Sequence, residues 1–311
     1  MDQIICVAGP TASGKTKLAV QLAKALNGEV ISCDSMQIYR HMDIGTAKPE
    51  PAETEGVPHH MLDVADPQEA FSVGRYVEMA DPILQRILSQ GKTAILAGGT
   101  GLYMDAIIKG NSFAPYPATG RRQALEAQVQ KEGVLPLLRQ LEEIDPDSAK
   151  RLHPSDEKRI IRALEVYLET GKTITQHNLE TQTIPPKYTP VWLGLDFAER
   201  AALYRRIDLR VDSMMDAGLL SEVQALLAMG VPETATSMQA IGYKELAAAL
   251  HGQCTIEEAV SQIKQSSRRY AKRQLTWFRR NSAIQWLMCR DAEDFQSIFS
   301  RATANIPFFD T

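Results

Sequence analysis

GPTASGKT, residues Gly9 to Thr16, follows directly on the short apolar run IICVA, residues Ile4 to Ala8. The run has the length and composition of a buried strand. Behind the loop, Leu18, Leu22, Ala25 and Leu26 recur at three- and four-residue spacings, which is the period of a helix. A glycine-rich loop between a strand and a helix lets backbone N–H groups converge on phosphate oxygens. Lys15 adds a point charge, Thr16 a hydroxyl for Mg²⁺, and the helix N-terminus a favourable partial charge. Gly9, Pro10, Thr11, Ala12, Ser13, Gly14, Lys15 and Thr16 are thus read together as a phosphate cradle. What carries the phosphate is not written in the loop.

Working outward, Gly28 reads as the stop of that helix, and Val30 to Cys33 as a second buried strand. Further short apolar runs lie at His60 to Val64, Thr93 to Ala97, Val191 to Leu195 and Ile284 to Met288. Helical stretches separate most of them. Strands alternating with helices imply a mainly parallel sheet flanked by helices on both faces. The expected class is α/β, with a P-loop NTPase-like core. From about Asn111 to Tyr188 the alternation stops. Leu125 to Val129, Leu135 to Leu141, then Ile160, Ile161, Leu164, Tyr167 and Leu168 follow a helical period, bracketed by the turn-rich NSFAPYPATG and TIPPKYTP. The expected organisation is a core of residues 1–110 and 190–311, with an all-helical insertion at 111–189.

The 311 residues are 44% hydrophobic and 23% charged, with a net charge of -4, as in an ordinary globular protein. MDQIICVAGP has neither a basic leader nor a long apolar run, and no stretch approaches the roughly 20 apolar residues that cross a bilayer. No membrane association is expected, and the cytoplasm is the expected compartment. Cys6, Cys33, Cys254 and Cys289 form no CxxC pair and read as reduced, mostly buried thiols. Between Gln262 and Asn281, QIKQSSRRYAKRQLTWFRRN holds seven Lys and Arg and no acid. The net acidity argues against non-specific nucleic-acid binding, yet this segment keeps a polyanionic partner open.

In open α/β sheets ligands bind beyond the carboxyl ends of the strands. DSMQ, Asp34 to Gln37, leaves the second strand, and GGTG, Gly98 to Gly101, leaves TAILA. Asp34 offers a carboxylate as general base or Mg²⁺ partner, unless it only caps the segment behind it. Thr100 offers a hydroxyl on a loop that a ligand can approach closely. No NKxD stretch for guanine recognition is present, and EVISCD, ending at Asp34, only approaches the usual strand-plus-Asp metal site. An ATP-dependent small-molecule or nucleoside kinase fits these residues, with the Arg-rich segment as a phosphate clamp. A non-catalytic RNA-binding protein also fits, though the intact Lys15–Thr16 pair opposes it.

GPTASGKT, ISCDSMQIYRHMDIGTAKP, VPHHMLDVADP, LAGGTGLY, DEKRIIRALEVYLETGK, SMQAIGYKEL and RRYAKRQLTWFRR occur in that order. Together they resemble the bacterial tRNA dimethylallyltransferases, also called tRNA isopentenyltransferases, over nearly the whole chain. One departure is Ser237 in SMQAIGYKEL, where Ala is expected. The resemblance implies transfer of a dimethylallyl group from dimethylallyl diphosphate to the exocyclic amino nitrogen of the tRNA adenosine on the 3′ side of the anticodon. The cradle would then hold a diphosphate that leaves, with Mg²⁺ on Thr16. Asp34 would accept a proton from the amino group, and Thr100 would hold substrate near the reacting carbon. The resemblance also implies tRNA contacts at Asp34, Ser35, Met36, Gln37, Thr100, Arg122, Lys158, Arg159, Ile160, Ile161 and Arg162. The implied partners are dimethylallyl diphosphate and the tRNA anticodon stem-loop, bound by a chain expected to be a monomer.

Several residues stay open at this level. Arg206, Arg210 and Arg273 suit either diphosphate or tRNA. In RRYAKRQLTWFRR, helical spacing aligns Arg269, Arg273, Thr276 and Arg280 in one stripe, with Arg268, Lys272, Leu275 and Arg279 next to it. Tyr270, Gln274 and Trp277 make a third, so cations and aromatics run side by side. Ser155 reads as the cap of the KRIIR helix. His59 and His60 lack partners at zinc spacing and read as structural or near-site residues. Gly242, Tyr243 and Lys244 have no role derivable from the pattern.

Overall fold

The computed structural model describes residues 2–110, 119–183, 185–290 and 295–309. The chain separates into two compact units, one of residues 1–110 and 187–311, the other of 111–186. Each has its own apolar core.

In the larger unit, six strands form one sheet: β1 (Gln3–Ala8), β2 (Gly28–Cys33), β3 (His59–His60), β4 (Thr93–Gly98), β5 (Thr189–Phe197) and β6 (Gln285–Cys289). Their order is β3-β2-β4-β1-β5-β6 and every pairing is parallel. Parallel strands need helical crossovers, and those cover both faces, so central strands read as unbroken apolar runs. Ile4 to Ala8 of β1 are accordingly all fully buried. Leu18, Leu22 and Ala23 of the helix Lys15–Ala25 pack into the same core as Ile5 and Val7, which is why the apolar stripe behind the loop has helical period. β1 connects across β4 to reach β2, and β4 connects across β1 to reach β5. The loops leaving β1 and β4 therefore diverge, and the crevice between them is where such sheets take their ligands.

Two local expectations are corrected, and a third is sharpened. The strand expected at His60 to Val64 is only His59–His60, because Met61 (φ 63°) and Asp63 (φ 57°) adopt left-handed backbone that no strand continues through. The helix stop assigned to Gly28 falls at Asn27 (φ 48°), and Gly28 instead opens β2. His60 is structural: its Nε2 lies 2.7 Å from the buried Glu29 carboxylate, which also takes Lys92 Nζ at 2.6 Å and Arg86 Nη2 at 3.3 Å. Burial pushes that carboxyl up, but the Lys92 and His60 hydrogen bonds outweigh it and hold Glu29 below the ordinary range.

The smaller unit is helical among its described residues: Arg121–Glu132, Leu135–Ile144, Pro146–Ala149, Glu157–Thr170 and Ile174–Thr183. Leu125, Val129, Leu137, Leu141, Ile160, Ile161 and Leu164 form its core. Asp156, not Ser155, precedes the helix Glu157–Thr170, and it makes no side-chain cap. Ser155 is diverted instead, its hydroxyl lying 2.8 Å from His153 Nδ1. No helix among the described residues is long and apolar enough to cross a membrane.

Candidate active site

Ala8 and Cys33 both pair with Gly98, so β1, β2 and β4 end at one level. That register brings the phosphate loop, Asp34 and Thr100 to a common rim. Beside it lies a cavity of about 360 Å³ with Thr11, Lys15, Thr16, Asp34, Ser35, Met36, Gln37, Arg210 and Arg273 among its lining, while Thr100 stands behind Ser35 and is not part of that lining.

Lys15 Nζ donates to Pro10 O at 2.6 Å, which folds the ammonium back over the loop. Desolvation first, and the Arg210 guanidinium second, push Lys15 down to about 7, with Asp34 opposing them. Burial likewise lowers Arg210 from its ordinary value. The Lys15 amine and the Arg210 guanidinium thus face one cavity whose only carboxylate among the described residues is Asp34, and an excess of cation over anion favours an anionic ligand. Arg206 Nε donates to Ala12 O at 3.0 Å, bracing the loop from outside. The Ser13 hydroxyl is buried with no partner among the described residues.

Asp34 Oδ1 accepts from Met36 N at 2.9 Å and Gln37 N at 3.4 Å. The capping role open to Asp34 in the sequence is therefore real, but it occupies one oxygen. Oδ2 makes no hydrogen bond among the described residues and remains available to a proton. Thr100 N donates to Cys33 O at 3.0 Å, and its hydroxyl accepts from Ser35 N at 3.1 Å. Thr100 is in this way tied to the residue beside Asp34.

Gln274, to which helical spacing alone assigns no role, joins the two loops. Its Oε1 accepts from Thr11 N at 2.9 Å, and its Nε2 donates to Gly99 O at 3.0 Å. A Cβ on Gly99 would sit 2.0 Å from that Nε2, so only glycine lets the amide in. Tyr270 and Trp277 share its face of the helix Ile256–Phe278. Burial raises the Tyr270 hydroxyl, while hydrogen bonding to Thr100 partly offsets this. Trp277 Nε1 donates to Asp105 Oδ2 at 2.9 Å. On the other stripes, Arg268 pairs with Asp208 at 2.6 Å and Arg279 with Asp196 at 2.8 Å, while Arg273 lies 5.5 Å over Tyr270. Val211, Met214, Leu219, Ile241 and Ile263, which also line the cavity, belong to one apolar cluster.

Mg²⁺ fits this donor set in one way. Among the described residues no three His, Cys, Asp or Glu are grouped to hold a metal. Thr16 lines the cavity, and one hydroxyl together with ligand phosphate oxygens is how Mg²⁺ is commonly held.

In the smaller unit, Arg122, Lys158, Arg159 and Arg162 line one concavity of about 510 Å³ together with Arg151, which the sequence did not single out. Glu126 and Glu165 hold Arg122 at 3.0 and 3.6 Å. Ile160 and Ile161, expected among the tRNA contacts, have buried side chains (0% and 2% exposed). They anchor the helix that carries the cations and do not present side chains to a ligand.

A model of the IPP transferase family matches residues 37–281. The tRNA dimethylallyltransferase of Bacillus cytotoxicus is 47% identical over 293 residues, covering 94% of this chain and 92% of its own. That of Caldanaerobacter subterraneus subsp. tengcongensis is 44% identical, covering 95% of each. Among solved structures, the tRNA isopentenylpyrophosphate transferase of Bacillus halodurans is 43% identical, with a TM-score of 0.73 over 98% of this chain and 95% of its own. A eukaryotic dimethylallyltransferase acting on tRNA is 29% identical, with a TM-score of 0.82 over 97% of this chain and 77% of that one.

Proposed function

The chain belongs to the IPP transferase family, and from that membership we propose that it transfers a dimethylallyl group from dimethylallyl diphosphate to a tRNA adenosine. The acceptor is the exocyclic amino nitrogen of the adenosine on the 3′ side of the anticodon, and the products are isopentenyladenosine and diphosphate. The observation that carries the reading is a cavity with both a cationic and an apolar lining. Lys15, Arg210 and Arg273 line it together with the apolar cluster of Val211, Met214, Leu219, Ile241 and Ile263, and Asp34 adds an uncommitted carboxylate oxygen. A C5 chain esterified to diphosphate has that same division.

As the allylic C–O bond breaks, negative charge grows on the diphosphate. Lys15 and Arg210, which face the same cavity, are placed to meet it as it develops. Thr16 is the protein group that would hold Mg²⁺, whose chemistry when bound is neutralisation of diphosphate charge. Asp34 Oδ2 takes the proton from the adenine amino group as its nitrogen bonds to the allylic carbon. Thr100, held against Ser35, positions substrate at that carbon. The base must leave its stack to enter, which anticodon-loop bases do at modest cost. The cation-lined concavity of the helical unit suits phosphates of the same RNA. A cytoplasmic location follows from that substrate.

The test is incubation with dimethylallyl diphosphate, Mg²⁺ and unmodified tRNA, followed by mass spectrometry of the digested nucleosides. Parallel reactions carry ATP in place of the ester. Prenylated adenosine that requires the ester and not ATP is the expected product. ATP consumption on a small acceptor, without prenylated nucleoside, would return the case to a kinase.

A further inference from the structure

Gly45 and Thr46 form part of the cavity wall beside Gln37. The loop that carries them converges three consecutive backbone N–H groups on one carboxylate. Glu222 Oε2 accepts from Asp43 N and Ile44 N, both at 2.8 Å, and Oε1 accepts from Gly45 N at 3.1 Å. The fourth donor is the hydroxyl of Tyr243, 2.6 Å from Oε1. Tyr243 is fully buried, and its ring lies so close to Gly45 that a Cβ there would be 2.5 Å from a ring carbon. Glu222 comes from the helix Leu219–Ala228 and Tyr243 from the start of Tyr243–Leu250. Four hydrogen bonds to one carboxylate fix the loop more firmly than neutral acceptors would.

Further along the same loop, Gln37 Nε2 donates to Thr46 O at 3.3 Å and to Ala47 O at 3.0 Å. Ser32 Oγ donates to Gln37 Oε1 at 2.9 Å. Two carbonyls on the nitrogen side and a hydroxyl on the oxygen side allow only one orientation of the carboxamide. Both amide hydrogens are consumed, and the capacity left to Gln37 is one lone pair on Oε1. We propose that Glu222, with Tyr243, is a positioning residue for the acceptor half of the reaction: it clamps the loop Asp43–Ala47 and thereby fixes the Gln37 carboxamide as a hydrogen-bond acceptor for the incoming nucleobase. This assigns a task to DIGTAK and to Tyr243, which diphosphate binding does not use. It rests on the prenyl-transfer reading of the cavity.

The experiment compares the unaltered protein with Glu222→Gln and Tyr243→Phe. It reads kcat, the KM for an anticodon stem-loop RNA, the KM for dimethylallyl diphosphate, equilibrium binding of each substrate, and the thermal midpoint. Displacing a positioned group typically costs up to about 10²-fold, so kcat/KM for the RNA is expected to fall about 10–100-fold in Glu222→Gln. The KM for the ester should change less than about twofold, and Tyr243→Phe should give a smaller change of the same kind. In a Gln37→Ala background, Glu222→Gln should cost little more, because the two act through one contact. Equal losses for both substrates that track the thermal midpoint, or full additivity with Gln37→Ala, would overturn the proposal. If the unaltered protein transfers no prenyl group, the underlying reading fails. The binding measurements would then still show whether Glu222 serves RNA or diphosphate.

Discussion

At the residue scale the two decisive side chains are Asp34 and Lys15, and each makes a measurable demand. Asp34 spends Oδ1 on Met36 and Gln37 backbone N–H groups and keeps Oδ2 open. A positioned base contributes typically about 10²–10⁴-fold, so Asp34→Ala should lower kcat by that order while filter-bound tRNA is retained. Unchanged turnover would remove the base assignment. Lys15 is pushed down to about 7, chiefly by desolvation. Above that pH its amine is neutral in the free protein, whereas diphosphate beside it favours the ammonium and raises it again. Binding the ester should therefore take up a proton, and affinity should be greatest below about 7 and fall as pH rises through and above it. Titration calorimetry at pH 8 in two buffers of different ionisation heat reads the uptake directly. It should approach one proton per ester bound and vanish in Lys15→Arg; equal values in the two proteins would refute it.

At the element scale the helix Ile256–Phe278 organises the site through Gln274, which satisfies Thr11 N and Gly99 O from a position 263 residues beyond Thr11. Removing it strands one part-buried and one buried backbone group at about 1–3 kcal/mol each. Gln274→Ala should lower the thermal midpoint and raise the KM for the ester. Gln274→Glu, which keeps the acceptor for Thr11 but loses the donor to Gly99, should fall between; a Glu variant as impaired as Ala would contradict the bridge. This contact also marks where the sequence stops being legible. GPTASGKT could be placed because strand, loop and helix are contiguous, and Asp34 and Thr100 because they leave strands. Gln274 carries a helical spacing shared with Tyr270 and Trp277, yet nothing local says which loops lie across from it. Glu222 is similar: an acid in a helix reads as a solvated charge until three backbone N–H groups from residues 43–45 arrive beside it. β3 is short because Met61 and Asp63 are unusual occupants of left-handed backbone, and nothing in the apolar pattern around them announces it.

At the scale of the whole molecule, a chain of net charge -4 must handle two anions, and it does so by partition. Of the cations that line the core cavity, Lys15 and Arg210 are desolvated, which suits a compact diphosphate whose charge must be met at short range. Those of the helical unit are exposed, with Arg122, Arg151, Lys158, Arg159 and Arg162 around one open concavity and acids such as Glu126 and Glu165 orienting them. Exposed charges are screened within roughly 8–10 Å at ordinary ionic strength, whereas desolvated ones are screened far less. The two substrates should consequently separate on a salt titration. Affinity for tRNA should fall steeply, with a log–log slope of roughly 0.7–0.9 per phosphate contacted, while the KM for dimethylallyl diphosphate moves little. Lys158→Ala, which breaks no ion pair among the described residues, should flatten the tRNA slope by about one contact and weaken binding alike for every tRNA sequence tried. A slope unchanged in Lys158→Ala would mean that phosphates are met elsewhere, with the basic face of the helix Ile256–Phe278 the next place to substitute.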